Sequence, residues 1–401
     1  MVYKIDSGFF EDSRDIISSA KKIVEAYELG NSIVVVLSAL GTHELAKKVS
    51  EINNTPSKRE MDMLLATGSM TSAALFTMAI ESLGCHAVSF SGYQAGIMTD
   101  SSYGNARIMG VDVERIFREL DKRNIVVVAG GQGSNRFSDI TTLGPGGCDA
   151  VAVALTAVLK ADLCMIYSKG GGVYTADPKI VDKVGRLEEI SYDELLELSS
   201  LGAQVLHSRA VELAKKYNIP IVLRSDLEDE TGTIVREVGN MEKMLIRGVT
   251  RDSEIARIAV MGVEDKPGVA FRLFSLLAKE DISVDLILQS IGTDELKDIS
   301  FTVSKTSLDK TLKVINSNLA LLGAKEVKCS DECSKVSVVG AGIVNNPGIV
   351  AAMFEALYDC DINVHMIATS EIKISALIDQ KYADIAVKAI HEKFKLYENV
   401  R

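Results

Sequence analysis

Four short stretches of the chain gather residues able to handle anions. The run Gly144-Pro145-Gly146-Gly147-Cys148-Asp149 precedes a stretch of helical spacing over 150–159, so glycine amides and a helix N-terminus converge on one point and favour bound negative charge. Asp149 is also placed to cap that helix, and Cys148 stands where a helix N-terminus can lower a thiol pKa. The run Ser168-Lys169-Gly170-Gly171-Gly172 is a flexible turn, and its glycines alone are weak evidence of a phosphate site. The segments Asp265-Lys266-Pro267-Gly268 and Asn345-Asn346-Pro347-Gly348 pair a proline, which has no amide hydrogen to leave unpaired, with a glycine that lets a ligand approach free amides. No GxxxxGK[ST] phosphate loop is present.

The elements that must position these residues fall into two halves. Up to about residue 225, uninterrupted apolar runs at 33–37, 125–129, 163–167 and 219–223 alternate with helical spacing at 150–159 and 192–201. Such runs read as parallel strands covered on both faces, giving an α/β domain. The second half repeats itself at an offset of 80 residues: Gly262, Pro267, Gly268, Phe274, Leu277, Asp281, Ile282, Val284 and Ile287 fall on Gly342, Pro347, Gly348, Phe354, Leu357, Asp361, Ile362, Val364 and Ile367. Each unit reads as a strand, a Pro-Gly turn opening a helix, and a second strand, a small α+β module present twice.

A chain of 401 residues with 47% hydrophobic and 25% charged residues has material for two or three folded domains. The formal charge of −11, from 44 Lys and Arg against 55 Asp and Glu, opposes attraction to phosphate backbones or anionic lipid. The start carries no signal-peptide pattern, and no apolar run approaches the roughly 18 residues of a membrane span. A cytoplasmic protein with neither nucleic-acid nor membrane partners is expected. The six cysteines form no CxxC pair or disulfide framework.

Three stretches make a wider resemblance specific: REMDMLLATG (59–68), GYQAGIMTDSSYGNARI (92–108) and DITTLGPGGCDAVAVAL (139–155). With VYTADPKIV (173–181), the segment 190–221 and TSEIKIS (369–375), they resemble the aspartokinases in order and separation. The resemblance implies an amino acid kinase domain over 1–228, a three-layer αβα sandwich on a mainly parallel sheet. A linker over 229–255 then leads to two ferredoxin-like ACT domains over 256–327 and 334–401. It implies transfer of phosphate from ATP, with Mg2+, to the β-carboxylate of aspartate, the first step toward lysine, threonine and methionine. It also implies regulation by lysine or threonine and oligomers formed through the ACT sheets, either of this chain alone or with an active paralogue.

By the same resemblance, Lys4 and Asp149 are the catalytic residues and Ser38, Thr42 and Ser69 meet aspartate. Lys4, Ser7, Gly8, Ser168, Lys169, Tyr174, Lys179 and Gln204 lie on the nucleotide side. Effector positions are Asp265, Pro267, Gly268, Asp285, Gln289 and Asp298 in the first module. In the second they are Asn346, Pro347, Gly348, Asn363, Thr369, Ser370 and Glu371. No metal ligand is assigned. The departures from the family pattern gather at the same places. Asp6 and Ser7 replace paired phosphate-binding glycines, Ser69 replaces a glutamate, and Pro145 and Cys148 replace an arginine and a serine. Ser168 to Gly172 lack two carboxylates, Gln204 replaces a lysine, and Gly131 replaces a phenylalanine. Phosphoryl transfer depends on cations and amide donors around the phosphates, so two readings stay open: an aspartokinase of low turnover, or an amino-acid-sensing paralogue without turnover.

Overall fold

The parallel strands form because their apolar runs can be buried on both faces. In the computed structural model, which describes residues 1–168, 170–200, 206–225, 231–237, 246–290, 296–341, 343 and 346–398, eight strands make one sheet. They are β1 (Val2–Ile5), β2 (Val34–Leu37), β3 (Ala87–Phe90), β4 (Ile125–Ala129), β5 (Cys164–Tyr167), β6 (Glu189–Ile190), β7 (Ile221–Arg224) and β8 (Thr233–Val235), in the order β6-β8-β7-β5-β1-β2-β4-β3. Only the β7–β8 pair is antiparallel. Alternate residues supply two separate cores. Val34, Val36, Val126, Val128 and Ile166 face one side, and Val35, Leu37, Val127, Ala129 and Tyr167 face the other. This is the layered sandwich expected from the sequence.

Helix α1 (Lys58–Ser82) covers the second of these faces through Ala73, Phe76 and Ile80. By length and composition it is apolar enough to cross a membrane, a departure from the sequence expectation, because Ser, Thr and Gly interrupt its apolar run without introducing charge. Half of its most apolar window is buried inside the fold. Helix α2 (Gly147–Leu159) covers the first face through Val151, Val153 and Leu155.

The repeat is visible in the backbone. The first module comprises β10 (Ile255–Glu264), helix α3 (Val269–Lys279), β11 (Ile287–Gln289), β12 (Leu296–Ser304) and β13 (Glu326–Ser330), with sheet order β11-β12-β10-β13. The second comprises β14 (Cys333–Val339), α4 (Pro347–Asp359), β15 (Met366–Thr369), β16 (Lys373–Asp379) and α5 (Ala383–Lys393). After each repeated helix an aspartate adopts the left-handed region, Asp281 at φ 53° and Asp361 at φ 55°. The next isoleucine amide then closes the turn, Ile282 onto Leu277 and Ile362 onto Leu357, each at 3.0 Å. The Pro-Gly turns differ between modules. Gly268 caps α3 at φ 91°, whereas α4 begins at Pro347 and holds Gly348 in its first turn.

Two described segments of the junction at 229–255 belong to neighbouring sheets. Thr233–Val235 is β8 of the large sheet, and Gly248–Asp252 forms β9, antiparallel to β14. The second sheet therefore runs β9-β14-β16-β15. A strand from ahead of the first module takes the edge position in the second that β13 fills in the first, so the second module is completed by upstream chain. Of the sequence assignments, Lys169, Gln204 and the repeat position Gly342 lie outside the described residues.

One buried carboxylate ties α1 to the lobe formed by Ile97–Thr99, Ile108–Val111, Gln132–Ser134 and Ile140–Thr142. Asp62, 0% exposed, accepts from the amides of Gly104 at 3.0 Å and Thr142 at 2.9 Å and from the Thr142 hydroxyl at 2.5 Å. Asp62→Ala strands those donors and should cost roughly 3 kcal/mol or more. A thermal melt should show a drop of about 6–12 °C; an unchanged melting temperature would contradict this bracing role.

Candidate functional site

Crevices outside the carboxyl ends of parallel strands are where open α/β sheets bind ligands. Here β1 delivers Lys4 to that edge, β2 is followed by Ser38, and α2 brings Asp149 in its first turn. The three meet. Lys4 is 4% exposed, and its Nζ lies 2.7 Å from Asp6 Oδ1 and 2.7 Å from Asp149 Oδ1. The Ser38 hydroxyl donates to Asp6 Oδ1 at 3.0 Å. Burial alone would lower the Lys4 pKa; the carboxylates of Asp149 and Asp6 outweigh it and hold the lysine above its ordinary range, so it remains a cation. Two carboxylates around one ammonium leave a formal excess of one negative charge.

Asp149 does not cap α2. The cap position is Gly146 at φ 68°, and the Asp149 side chain is turned to Lys4 instead. The left-handed cap places Gly146 against His207, whose Cβ would lie 2.1 Å from a Cβ added there, so a side chain is excluded on two grounds. Cys148 corrects a second expectation. Burial pushes its thiol up to about 11, with Lys4 opposing too weakly to reverse it. Gly131, φ 69°, leaves room for this thiol: an added Cβ would sit 3.0 Å from Cys148 Sγ.

The turn after β1 is built inward. Ser7–Phe9 is a single 3-10 turn, Phe10 is buried, and the Phe9 ring meets Tyr167 edge-on at 6.4 Å. Ser7 and Gly8 are half-buried within it. Ser168 follows β5 with its amide on Arg224 O at 3.1 Å. Tyr174 lies in the short pair Val173–Tyr174 with Arg186–Leu187, and Lys179 is exposed beyond it.

Ser69 is not presented to a ligand. It is buried in α1 and accepts from Gln132 Nε2 at 2.6 Å, while the same amide reaches Ala66 O at 2.9 Å. Thr42 is exposed in the first turn of the helix Thr42–Ile52. Asp62 and Gln132 were missed from the sequence, where Asp62 is one more charge in the Lys58–Asp62 start of α1.

The effector positions divide similarly. In the first module the acids already have partners: Asp265 pairs with Lys297 at 2.7 Å, Asp298 accepts from the Gly262 amide at 2.8 Å, and Asp285 pairs with the buried Lys335 of β14. Pro267 and Gly268 lead into α3, and Gln289 is exposed on β11. In the second module Asn346 precedes Pro347 and Gly348 at the start of α4, and Asn363, Thr369, Ser370 and Glu371 are exposed.

Comparison with known proteins bears on this geometry. The amino acid kinase family model matches residues 1–225, and the ACT domain model matches 258–319 and 336–394. The aspartokinase of Geobacillus stearothermophilus is 46% identical over 382 residues, covering 94% of this chain and 93% of the relative. That of Corynebacterium glutamicum is 42% identical over 406 residues, covering 99% and 96%. The chain belongs to the aspartokinase family. Among solved structures, E. coli aspartokinase III in complex with aspartate and ADP shares the fold, with a TM-score of 0.80 at 23% identity over 98% of this chain and 99% of that one. The aspartate kinase from Synechocystis is 39% identical with a TM-score of 0.55, over 98% of this chain and 69% of that one.

Within the aspartokinase scaffold, the Cys148 environment yields a direct expectation. With a pKa of about 11, roughly one thiol in a thousand is thiolate at pH 8. Iodoacetamide at pH 8 should therefore label the exposed Cys329 while leaving Cys148 unmodified in the folded protein, as read by peptide mass spectrometry. Rapid labelling of Cys148 would contradict the assignment.

Proposed function

We propose that this chain is an aspartokinase of low turnover: ATP and L-aspartate give ADP and 4-phospho-L-aspartate, under the control of lysine or threonine bound to the ACT domains. The product would feed lysine, threonine and methionine synthesis in the cytoplasm. The observation that carries the reading is the meeting of Lys4, Ser38, Asp149 and the N-terminus of α2 at the carboxyl edge of the sheet. In this role Lys4 takes a phosphate oxygen and α2 stabilises the charge that develops on the moving phosphoryl group. Ser38 and Thr42 hold aspartate, and the segment from Tyr174 to Lys179 flanks the nucleotide. E. coli aspartokinase III is known in complex with aspartate and ADP in one state and with lysine and aspartate in another, which supports the choice of ligands.

Magnesium fits as a companion of the nucleotide. Among the described residues no cluster of three or more His, Cys, Asp or Glu could cage a metal, whereas magnesium needs only one or two carboxylates beside phosphates and waters, and Asp149 is such a carboxylate. Bound there, it would supply neutralisation of phosphate charge. Oligomers through the ACT sheets are supported by β11, an edge strand whose Ile287 and Leu288 are exposed.

One observation favours the reading without turnover. Asp6 already occupies Lys4 and the Ser38 hydroxyl, so an incoming phosphate must displace a carboxylate. A hydroxamate assay with ATP, magnesium and aspartate should give a turnover well below the ordinary value of about 10 per second. Asp6→Gly should raise it about tenfold or more, since each tenfold is 1.4 kcal/mol of barrier. Ordinary turnover in the unaltered chain would overturn the blocking role of Asp6. No product from either protein, with a thermal shift on adding lysine or threonine, would leave the sensor.

A further inference from the structure

Thr175, immediately after the strand Val173–Tyr174, is 0% exposed, and His391, in α5 of the second ACT domain, is 1% exposed. Thr175 Oγ1 and His391 Nε2 are 2.9 Å apart. The same Oγ1 accepts from the Gly185 amide at 3.0 Å, and it shares with His391 Nε2 a hydrogen bond whose donor is set by the imidazole tautomer. With the hydroxyl as donor, the imidazole is neutral with its proton on Nδ1. Burial holds the imidazole pKa below its ordinary value, consistent with that form.

Every other polar group of Thr175 is committed as well. Its amide donates to Gly185 O at 2.9 Å, and its carbonyl accepts from Val249 of β9 at 2.8 Å. A Cβ added at Gly248 would come within 2.9 Å of that carbonyl, so β9 must pass Thr175 with a glycine. Thr175 is thereby held from three directions: its own hairpin, the strand that completes the second module, and a helix of that module.

The surrounding core shows the same dependence. Ala176, Ile180 and Val181 of the segment beyond Thr175 are buried in one cluster with Ile374, Ile378 and Ile390 of the second ACT domain. The first ACT domain keeps a core of its own residues. The hairpin bearing Tyr174 is therefore built into the second module, while its other end returns to the kinase domain through the bond from Val173 N to Thr233 Oγ1 at 2.8 Å.

We propose that Thr175 and His391 are positioning residues for the nucleotide: through their hydrogen bond, the second ACT domain sets where the Tyr174 hairpin stands beside ATP. This rests on the nucleotide role given to Tyr174 and Lys179 above. Neither residue touches the reacting atoms, so loss of the bond should weaken nucleotide binding and spare aspartate binding.

The test uses the full chain with Thr175→Val, which keeps the shape and removes the hydroxyl, Thr175→Ser, which keeps the hydroxyl, and His391→Phe, which leaves the Thr175–Gly185 contact in place. Calorimetry with ADP and magnesium should show affinity reduced about tenfold in Thr175→Val and His391→Phe, within about twofold of normal in Thr175→Ser, and aspartate affinity within about twofold throughout. Amide exchange at Gly185 and Val249 should accelerate in His391→Phe while the amides of β1 and β5 keep their protection. Unchanged exchange in His391→Phe would overturn the joint. Faster exchange with undiminished ADP affinity would overturn the positioning role and leave the nucleotide reading intact. An unaltered protein that binds no ADP would remove both.

Discussion

The site is organised by one buried cation. Lys4, carried on the central strand of a parallel sheet, has almost no contact with water, and an ammonium in that position must be paired to be tolerated. Asp149 and Asp6 supply the pairing, and each fixes a piece of structure in doing so. Asp149 turns the first turn of α2 toward β1, and Asp6 draws Ser38 at the end of β2 into the same cluster. Two strands and a helix that are distant in sequence are thus registered at their functional ends by one charge.

Neutralising a buried lysine and presenting it to a phosphate are competing uses of the same ammonium. With a single carboxylate the balance would be even; the second, Asp6, tilts it toward self-sufficiency. The other replacements are accommodated rather than disruptive. Cys148 occupies space that Gly131 leaves open, Phe10 anchors the turn that lost its paired glycines, and Ser69 is absorbed by Gln132. The aspartokinase frame is maintained around each of them.

Much of this was readable from the sequence. The parallel strands declared themselves because Val34–Leu37 and Ile125–Ala129 are apolar without alternation, and the repeat because Gly, Pro and Asp recur where the backbone needs them, down to Asp281 and Asp361. The meeting of Lys4, Ser38 and Asp149 followed from the family resemblance. What stayed hidden depended on partners far along the chain or on burial. Ser69 looked available until Gln132, 63 residues away, was seen to claim it. Cys148 looked acidified by a helix N-terminus, whereas desolvation of the thiol pushes it up. The segment Gly248–Asp252 fell within the linker expected over 229–255, yet its backbone completes a sheet whose other strands lie more than 80 residues downstream.

The most direct test is a crystal structure of the full chain with ADP, magnesium and aspartate. The account predicts a phosphate oxygen on Lys4 Nζ, with the Asp6 carboxylate displaced from it and Asp149 still in contact. Both ligands bound and aligned while Lys4 keeps its two carboxylates would contradict the central role given to that ammonium.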